Sequence, residues 1–172
     1  MHTKVFWIER LGAGLVGVMS RPRGGDWLNE ELLALAQARV EVLVSLLTAE
    51  EVAELELQEE ERLCGNCGIH FVSFPISDRG VPLSIPDTGR IVDLMLAELR
   101  AGKTLAIHCR MGIGRSALVA ACLLVSEGIE VDEAFARISR ARGFAVPDTD
   151  AQAVWVKAFA TFRSKRYDEG PP

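Results

Sequence analysis

Thr104-Leu105-Ala106-Ile107-His108-Cys109-Arg110-Met111-Gly112-Ile113-Gly114-Arg115-Ser116 is the stretch from which the fold is read. Residues 104 to 108 form a short apolar run of strand character. From Arg115 onward Ala117, Leu118, Ala121, Cys122, Leu124 and Val125 recur at helical spacing as far as Gly128. The segment between them is therefore a strand-to-helix loop carrying two glycines. Such a loop can turn successive backbone N–H groups inward, and the dipole of the following helix reinforces the anion-binding nest they make. A phosphoryl group suits that nest. Arg115 adds a planar fork able to take two phosphate oxygens at once, and Cys109 is left facing phosphorus. The nest, the dipole and the guanidinium all favour the thiolate, the reactive form of a cysteine. The plainer alternative is a buried structural cysteine beside glycines that only shape a turn. Against it stand the strand before, the helix after, both glycines and Ser116 beside the arginine.

Outward from this loop, strands and helices alternate. Val5 to Ile8, Leu15 to Met19, Val40 to Leu47 and Ile69 to Ile76 read as further strands. Asp26 is placed to cap a helix running to about Ala38. Thr48 and Glu51 have capping-box spacing for a helix from about Ala49 that breaks near Leu57 and resumes to Asn66. Pro75 to Pro86 reads as a long loop, and helices are expected from Asp87 to Ala101, Asp132 to Arg142 and Asp150 to Arg166. Strands alternating with helices predict an α/β fold whose central, mostly parallel sheet is flanked by helices on both faces.

With 172 residues, 49% hydrophobic and 25% charged, the chain has the profile of one domain over 1–172, with a frayed tail from about Tyr167 to Pro172. The net charge of -5 and scattered cations, apart from Arg163, Lys165 and Arg166, predict no nucleic-acid partner. Met1 to Ile8 lacks the pattern of a secretory signal and no apolar run has membrane-spanning length, so no membrane association and a cytoplasmic location are expected. Cys64, Cys67, Cys109 and Cys122 are too few and too irregular for a disulfide framework. Cys64, Cys67 and His70 supply three metal ligands where a structural zinc needs four, so no metal is expected. The Cys64–Cys67 pair is either a redox pair or a helix end, and Cys122 falls on the buried stripe of its helix. Trp7, Trp27 and Trp155 read as packing residues, since no basic cluster interleaves them.

Cleavage of a phosphate ester needs its leaving oxygen protonated, a contribution of about 10² to 10⁴-fold. Asp78, in Phe74-Pro75-Ile76-Ser77-Asp78-Arg79-Gly80-Val81-Pro82, lies in a loop just beyond a strand and is either that acid or a turn-capping aspartate. Asp87, Asp148 and Asp150 are the other candidates.

The segment from His108 to Ser116 resembles the signature of the protein tyrosine phosphatase superfamily: His, Cys, five residues, Arg, then Ser or Thr. The resemblance implies that Cys109 is the nucleophile, Arg115 the phosphate clamp and Ser116 the hydroxyl that eases thiolate departure. His108 would support the loop, with Arg110, Met111, Gly112, Ile113 and Gly114 forming the substrate cradle. The segment around Asp78 is similar to the acid loop of dual-specificity phosphatases, with the aspartate 31 positions before the cysteine and a proline shortly after. Low-molecular-weight tyrosine phosphatases and related arsenate reductases carry the two motifs in the reverse order. The resemblance covers roughly Val40 to Phe159, and Gly143 to Gln152 is a weaker match to the loop that orients water in the longer tyrosine-specific enzymes. There Asp148 stands where the principal glutamine would be, while Gln152 matches the second and is either a water contact or a helix-start residue. The resemblance implies the compact cysteine-phosphatase fold and cofactor-free hydrolysis of phosphate monoesters, through a phosphocysteine, on phosphorylated protein or peptide substrates. Met111 and Ile113, expected to splay outward, would tune substrate choice. Alternatives are a phosphate-recognition module without turnover, or a phosphatase acting on lipid or on RNA 5'-phosphate.

Overall fold

Five strands build one sheet in the computed structural model, which describes residues 2–168. They are β1 (Phe6–Leu11), β2 (Gly14–Ser20), β3 (Val42–Ser45), β4 (His70–Ser73) and β5 (Thr104–Cys109). Their spatial order is β1-β2-β5-β3-β4; only the β1–β2 hairpin is antiparallel, and β5 runs parallel to both its neighbours at the centre. Among the described residues the seven α-helices are α1 (Leu28–Gln37), α2 (Ala49–Glu54), α3 (Glu60–Asn66), α4 (Ile85–Arg100), α5 (Arg115–Ser126), α6 (Val131–Arg142) and α7 (Asp150–Asp168). The architecture is α/β with a mostly parallel sheet covered on both faces. Of the expected frayed tail, Tyr167 and Asp168 prolong the backbone of α7, and 169–172 lie outside the described residues.

Strand side chains alternate between the faces, and this splits the core in two. Val16, Val18, Val42, Val44, Leu105, Ile107 and Cys109 join α4, α5, α6 and α7 in one cluster. Met19, Leu43 and Ala106 face α1 and α3 in the other. α5 lies in the middle of the larger cluster, with every residue but Val125 buried. Burying each of its leucines contributes about 1.5–3 kcal/mol relative to exposure, so the helix that follows the phosphate loop is held rigidly.

Local signals set most boundaries. Thr48 and Glu51 form the expected capping box, Thr48 Oγ1 accepting from the Glu51 N–H at 3.3 Å and the Glu51 carboxylate accepting from the Thr48 N–H at 3.1 Å. Asp26, expected as the cap of α1, does not cap it. Residues Gly25–Trp27 form a 3-10 turn instead, Trp27 takes the cap position, and no side chain satisfies the first N–H groups. α4 starts two residues before the expected Asp87, because Ser84 accepts from the Asp87 N–H at 3.2 Å and Pro86 is tolerated in a first turn. β3 keeps only four of its eight expected residues. At its start the Val40 N–H turns back to the Leu35 carbonyl, so the apolar run outlasts the ladder.

Candidate active site

Parallel strands end together, and ligands in such sheets bind beyond their carboxyl ends. β5 ends there at Cys109, and the loop 110–114 closes onto α5. Its shape depends on Gly112, whose φ of 71° lies in the left-handed region; a Cβ there would come within 2.5 Å of the Met19 carbonyl carbon at the end of β2. The Gly112 N–H points back at Cys109 Sγ, 3.2 Å away, and Ser116 Oγ lies 3.4 Å from the same sulfur. Cys109 is thus buried, at 3% exposure, with two polar groups on its sulfur. Arg110 and Met111 occupy the outer rim, and Ile113, expected to splay outward like Met111, is half-buried and packs against the core.

Arg115 is buried to 2% exposure, an arrangement that requires a carboxylate partner. Glu51 provides it, its two oxygens accepting from Nη1 at 2.7 Å and from Nη2 at 2.8 Å. Nη1 also donates to the Ile76 carbonyl at 2.8 Å, and Nη2 to Asp78 Oδ1 at 3.0 Å. Burial alone would push the Glu51 carboxyl up. The hydrogen bonds from Arg115 and the Thr48 N–H, with the charges of Arg115 and Arg110, instead hold it below its ordinary value of 4.5. Arg115 moves the other way: burial would lower it, but Glu51, Cys109 and Asp78 raise it, so it is a permanent cation.

Asp78 reaches the site from the opposite side, in a turn closed by the Gly80 N–H donating to the Ser77 carbonyl at 2.8 Å. Its carboxylate is 61% exposed. Asp78, Arg79, Cys109, Arg110, Met111, Ile113, Gly114, Arg115, Asp148 and Gln152 surround one cleft of about 50 Å³, so the two halves of the predicted site meet. A roomier depression of about 330 Å³ between α5, α6 and α7 has no cysteine in its walls. Gln152 is fully buried; its Oε1 accepts from the Thr149 N–H at 3.2 Å and its Nε2 donates to the Gly80 carbonyl at 3.1 Å. Asp87 is outside the cleft, paired with Arg90, and Asp150 opens α7.

Three contributors were not visible in the sequence. Glu51 has the spacing of a capping residue, and nothing local announces a partner 64 positions away. Arg142, the last residue of α6, donates Nε to the Gly112 carbonyl at 3.1 Å and Nη2 to the Met111 carbonyl at 3.0 Å. In a trans peptide the C=O and the following N–H point oppositely, so this grip turns the N–H groups of Gly112 and Ile113 toward the nest. The Arg142 guanidinium lies over the rings of Phe6 and Phe144, at 4.2 and 5.3 Å from their centroids; burial lowers its pKa, and the Cys109 sulfur opposes that shift. Glu60, at the start of α3, brings Oε1 to 3.1 Å from Nε2 of the buried His108 without hydrogen-bond alignment, on the sheet face opposite Cys109.

The remaining cysteines sit apart from this chemistry. Burial pushes the Cys64 thiol up to about 12, and burial raises Cys122 as well. Cys67 is half-buried at the end of α3, while His70 is exposed on β4 beside Glu98 at 3.5 Å. No helix among the described residues is long and apolar enough to cross a membrane.

Comparison with known proteins adds family context. A family model described as Tc-R-P, polymorphic toxin system, DSP-PTPase phosphatase, matches residues 16–129. Protein tyrosine phosphatase domain-containing protein 1 of Bos taurus is 28% identical over 163 residues, covering 80% of this chain and 20% of the relative. The chain therefore spans about a fifth of that protein's length. Among solved structures, kinase associated phosphatase carrying serine in place of its catalytic-site cysteine superimposes with a TM-score of 0.87 at 22% identity, covering 96% of this chain and 98% of that one. PTPMT1 in complex with PI(5)P superimposes with a TM-score of 0.74 at 19% identity, covering 92% and 97%. Both likenesses are likenesses of fold.

Proposed function

Because the chain belongs to the DSP-PTPase phosphatase family, we propose that it hydrolyses phosphate monoesters through a phosphocysteine at Cys109. The observation that carries this reading is the convergence of the Cys109 sulfur, the buried Arg115 fork and Asp78 on one small cleft. Binding alone would need only the nest and the arginine. In the first step Cys109 Sγ attacks phosphorus, the S–P bond forms as the P–O bond breaks, and Asp78 delivers its proton to the leaving oxygen. A phosphoryl oxygen competes with Asp78 for Arg115 Nη2, while Glu51 keeps the guanidinium plane fixed. In the second step Asp78, now a carboxylate, takes a proton from water as that water attacks phosphorus, and Ser116 Oγ stabilises the departing thiolate.

The substrate we favour is a phosphorylated side chain of a protein, phosphotyrosine with phosphoserine and phosphothreonine. Three of the site's cations are already paired with carboxylates, Arg110 with Glu54 and Glu51, Arg79 with Asp148, and Arg115 with Glu51 and Asp78, and the fourth, Arg142, is committed to the loop carbonyls. A second phosphate on a lipid headgroup or an RNA 5'-end would have to displace one of these pairs. Exposed Met111 and Phe144, the latter stacked on Arg142, offer apolar contact to an aryl ring or a neighbouring side chain. Turnover of p-nitrophenyl phosphate, inhibited by vanadate, tests the enzyme reading, and its absence would leave a recognition module. A panel of singly phosphorylated peptides, PI(5)P and 5'-phosphorylated RNA tests the substrate; preference for lipid or RNA would overturn the protein assignment.

A further inference from the structure

We propose that Gln152 and Asp148 are positioning residues that hold the turn bearing Asp78 against the phosphate loop, so that Gln152 serves proton donation and not the orientation of the attacking water. The inference rests on the phosphatase reading above. Asp78 is 61% exposed, so packing does not fix its carboxylate, and its aim depends on what anchors the turn Ser77–Gly80. Two anchors are present, and both come from the short segment before and within the first turn of α7. Gln152 Nε2 donates to the Gly80 carbonyl at 3.1 Å, and the Asp148 carboxylate lies 3.7 Å from Arg79 Nε. Arg79 has a left-handed φ of 56°, a conformation an arginine keeps only where surrounding contacts hold it.

The other side of the Gln152 amide rests on the phosphate loop. A Cβ built on Gly114 would lie 3.0 Å from Gln152 Nε2 and 3.1 Å from the Asp148 Cβ. One buried side chain thus bridges acid turn and anion nest, and its carbonyl, accepting from the Thr149 N–H, fixes it to the residue just before its helix. A glutamine that orients water presents its amide to the water. Here the amide oxygen accepts from a backbone N–H and one of the two amide N–H donors goes to the Gly80 carbonyl, so the side chain's orientation is set by the acid turn.

The test uses Gln152→Leu and Asp148→Ala, each alone and combined with Asp78→Asn. Because kcat/KM reports the step in which the leaving group departs, phenyl phosphate should lose about 10- to 100-fold in Gln152→Leu, the scale of a misplaced catalytic group. 2,4-Dinitrophenyl phosphate, whose leaving group needs little protonation, should change little. Asp148→Ala, which removes an exposed pair, should show the same split at about two- to fivefold and serves if Gln152→Leu does not fold. In the Asp78→Asn background Gln152→Leu should cost nothing further, and amide hydrogen exchange over 77–82 should accelerate in each single variant. Equal losses for the two esters would overturn the proposal. So would slower phosphocysteine hydrolysis on adding Gln152→Leu to Asp78→Asn, the mark of a water-orienting glutamine. If the wild-type chain turns over neither ester, the phosphatase reading fails by itself, and unchanged exchange over 77–82 overturns the tether whatever the activity.

Discussion

The phosphate loop and the acid turn face each other across one cleft, yet they are built in opposite ways. The loop is contiguous, running from His108 to Ser116, with its ends locked in a central strand and in a helix buried on nearly every residue. Its conformation follows from a left-handed glycine, a helix terminus and the Arg142 grip on two carbonyls. The acid turn has four residues, an exposed carboxylate and no apolar side chain of its own in the core. Its position is borrowed from Arg115, Gln152 and Asp148, which lie 37 and more positions away. The half that must hold a polyanion in one place is rigid and local. The half that must donate a proton and then accept one is exposed and held only by tertiary contacts.

That contrast can be broken by substitution, starting with its rigid side. Cys109→Ser should abolish turnover while inorganic phosphate still binds, because the nest and Arg115 remain and an alcohol cannot attack unaided. Phosphate release and isothermal titration check the two halves, and residual turnover above background would remove the covalent mechanism. On the exposed side, Asp78→Asn should slow phenyl phosphate by about 10² to 10⁴-fold and 2,4-dinitrophenyl phosphate far less. Equal losses would make Asp78 a turn residue only.

Glu51 sharpens the comparison because it belongs to neither half and supports the clamp from behind. Glu51→Ala leaves Arg115 as a buried cation without its bidentate partner and should cost about 3–5 kcal/mol of stability, read by urea denaturation. The Glu51 carboxyl is held below 4.5 in the folded chain, so its contribution is present above that value and is lost as pH falls through the depressed one. Wild type should therefore lose stability below about pH 4.5 more steeply than Glu51→Ala. A smaller effect is expected at Arg142. Arg142→Ala frees the Met111 and Gly112 carbonyls and should raise the inhibition constant for inorganic phosphate about tenfold, the equivalent of one weakened charge-assisted contact, with no leaving-group dependence. A leaving-group effect there would tie Arg142 to the acid turn instead.

Read from residues alone, the α/β order, the loop from Cys109 to Arg115, the Thr48–Glu51 capping box and the candidacy of Asp78 were all available. Each is carried by neighbours in the chain: periodicity of 2 or 3.6, glycine placement, a cap three residues from its partner. The boundaries that shifted did so where a competing contact, local or tertiary, replaced the expected one. Ser84 took the cap of α4, a 3-10 turn put Trp27 in place of Asp26 at α1, and β3 ended level with its edge neighbour β4. The grip of Glu51 on Arg115, of Arg142 on the loop carbonyls and of Gln152 on Gly80 spans 64, 30 and 72 positions. No local pattern encodes such pairs, because a buried charge or a free carbonyl finds its partner only once the sheet has brought distant segments together. The chain thus declares its nucleophile and its anion cradle in sequence, and folding alone decides how the acid is aimed at them.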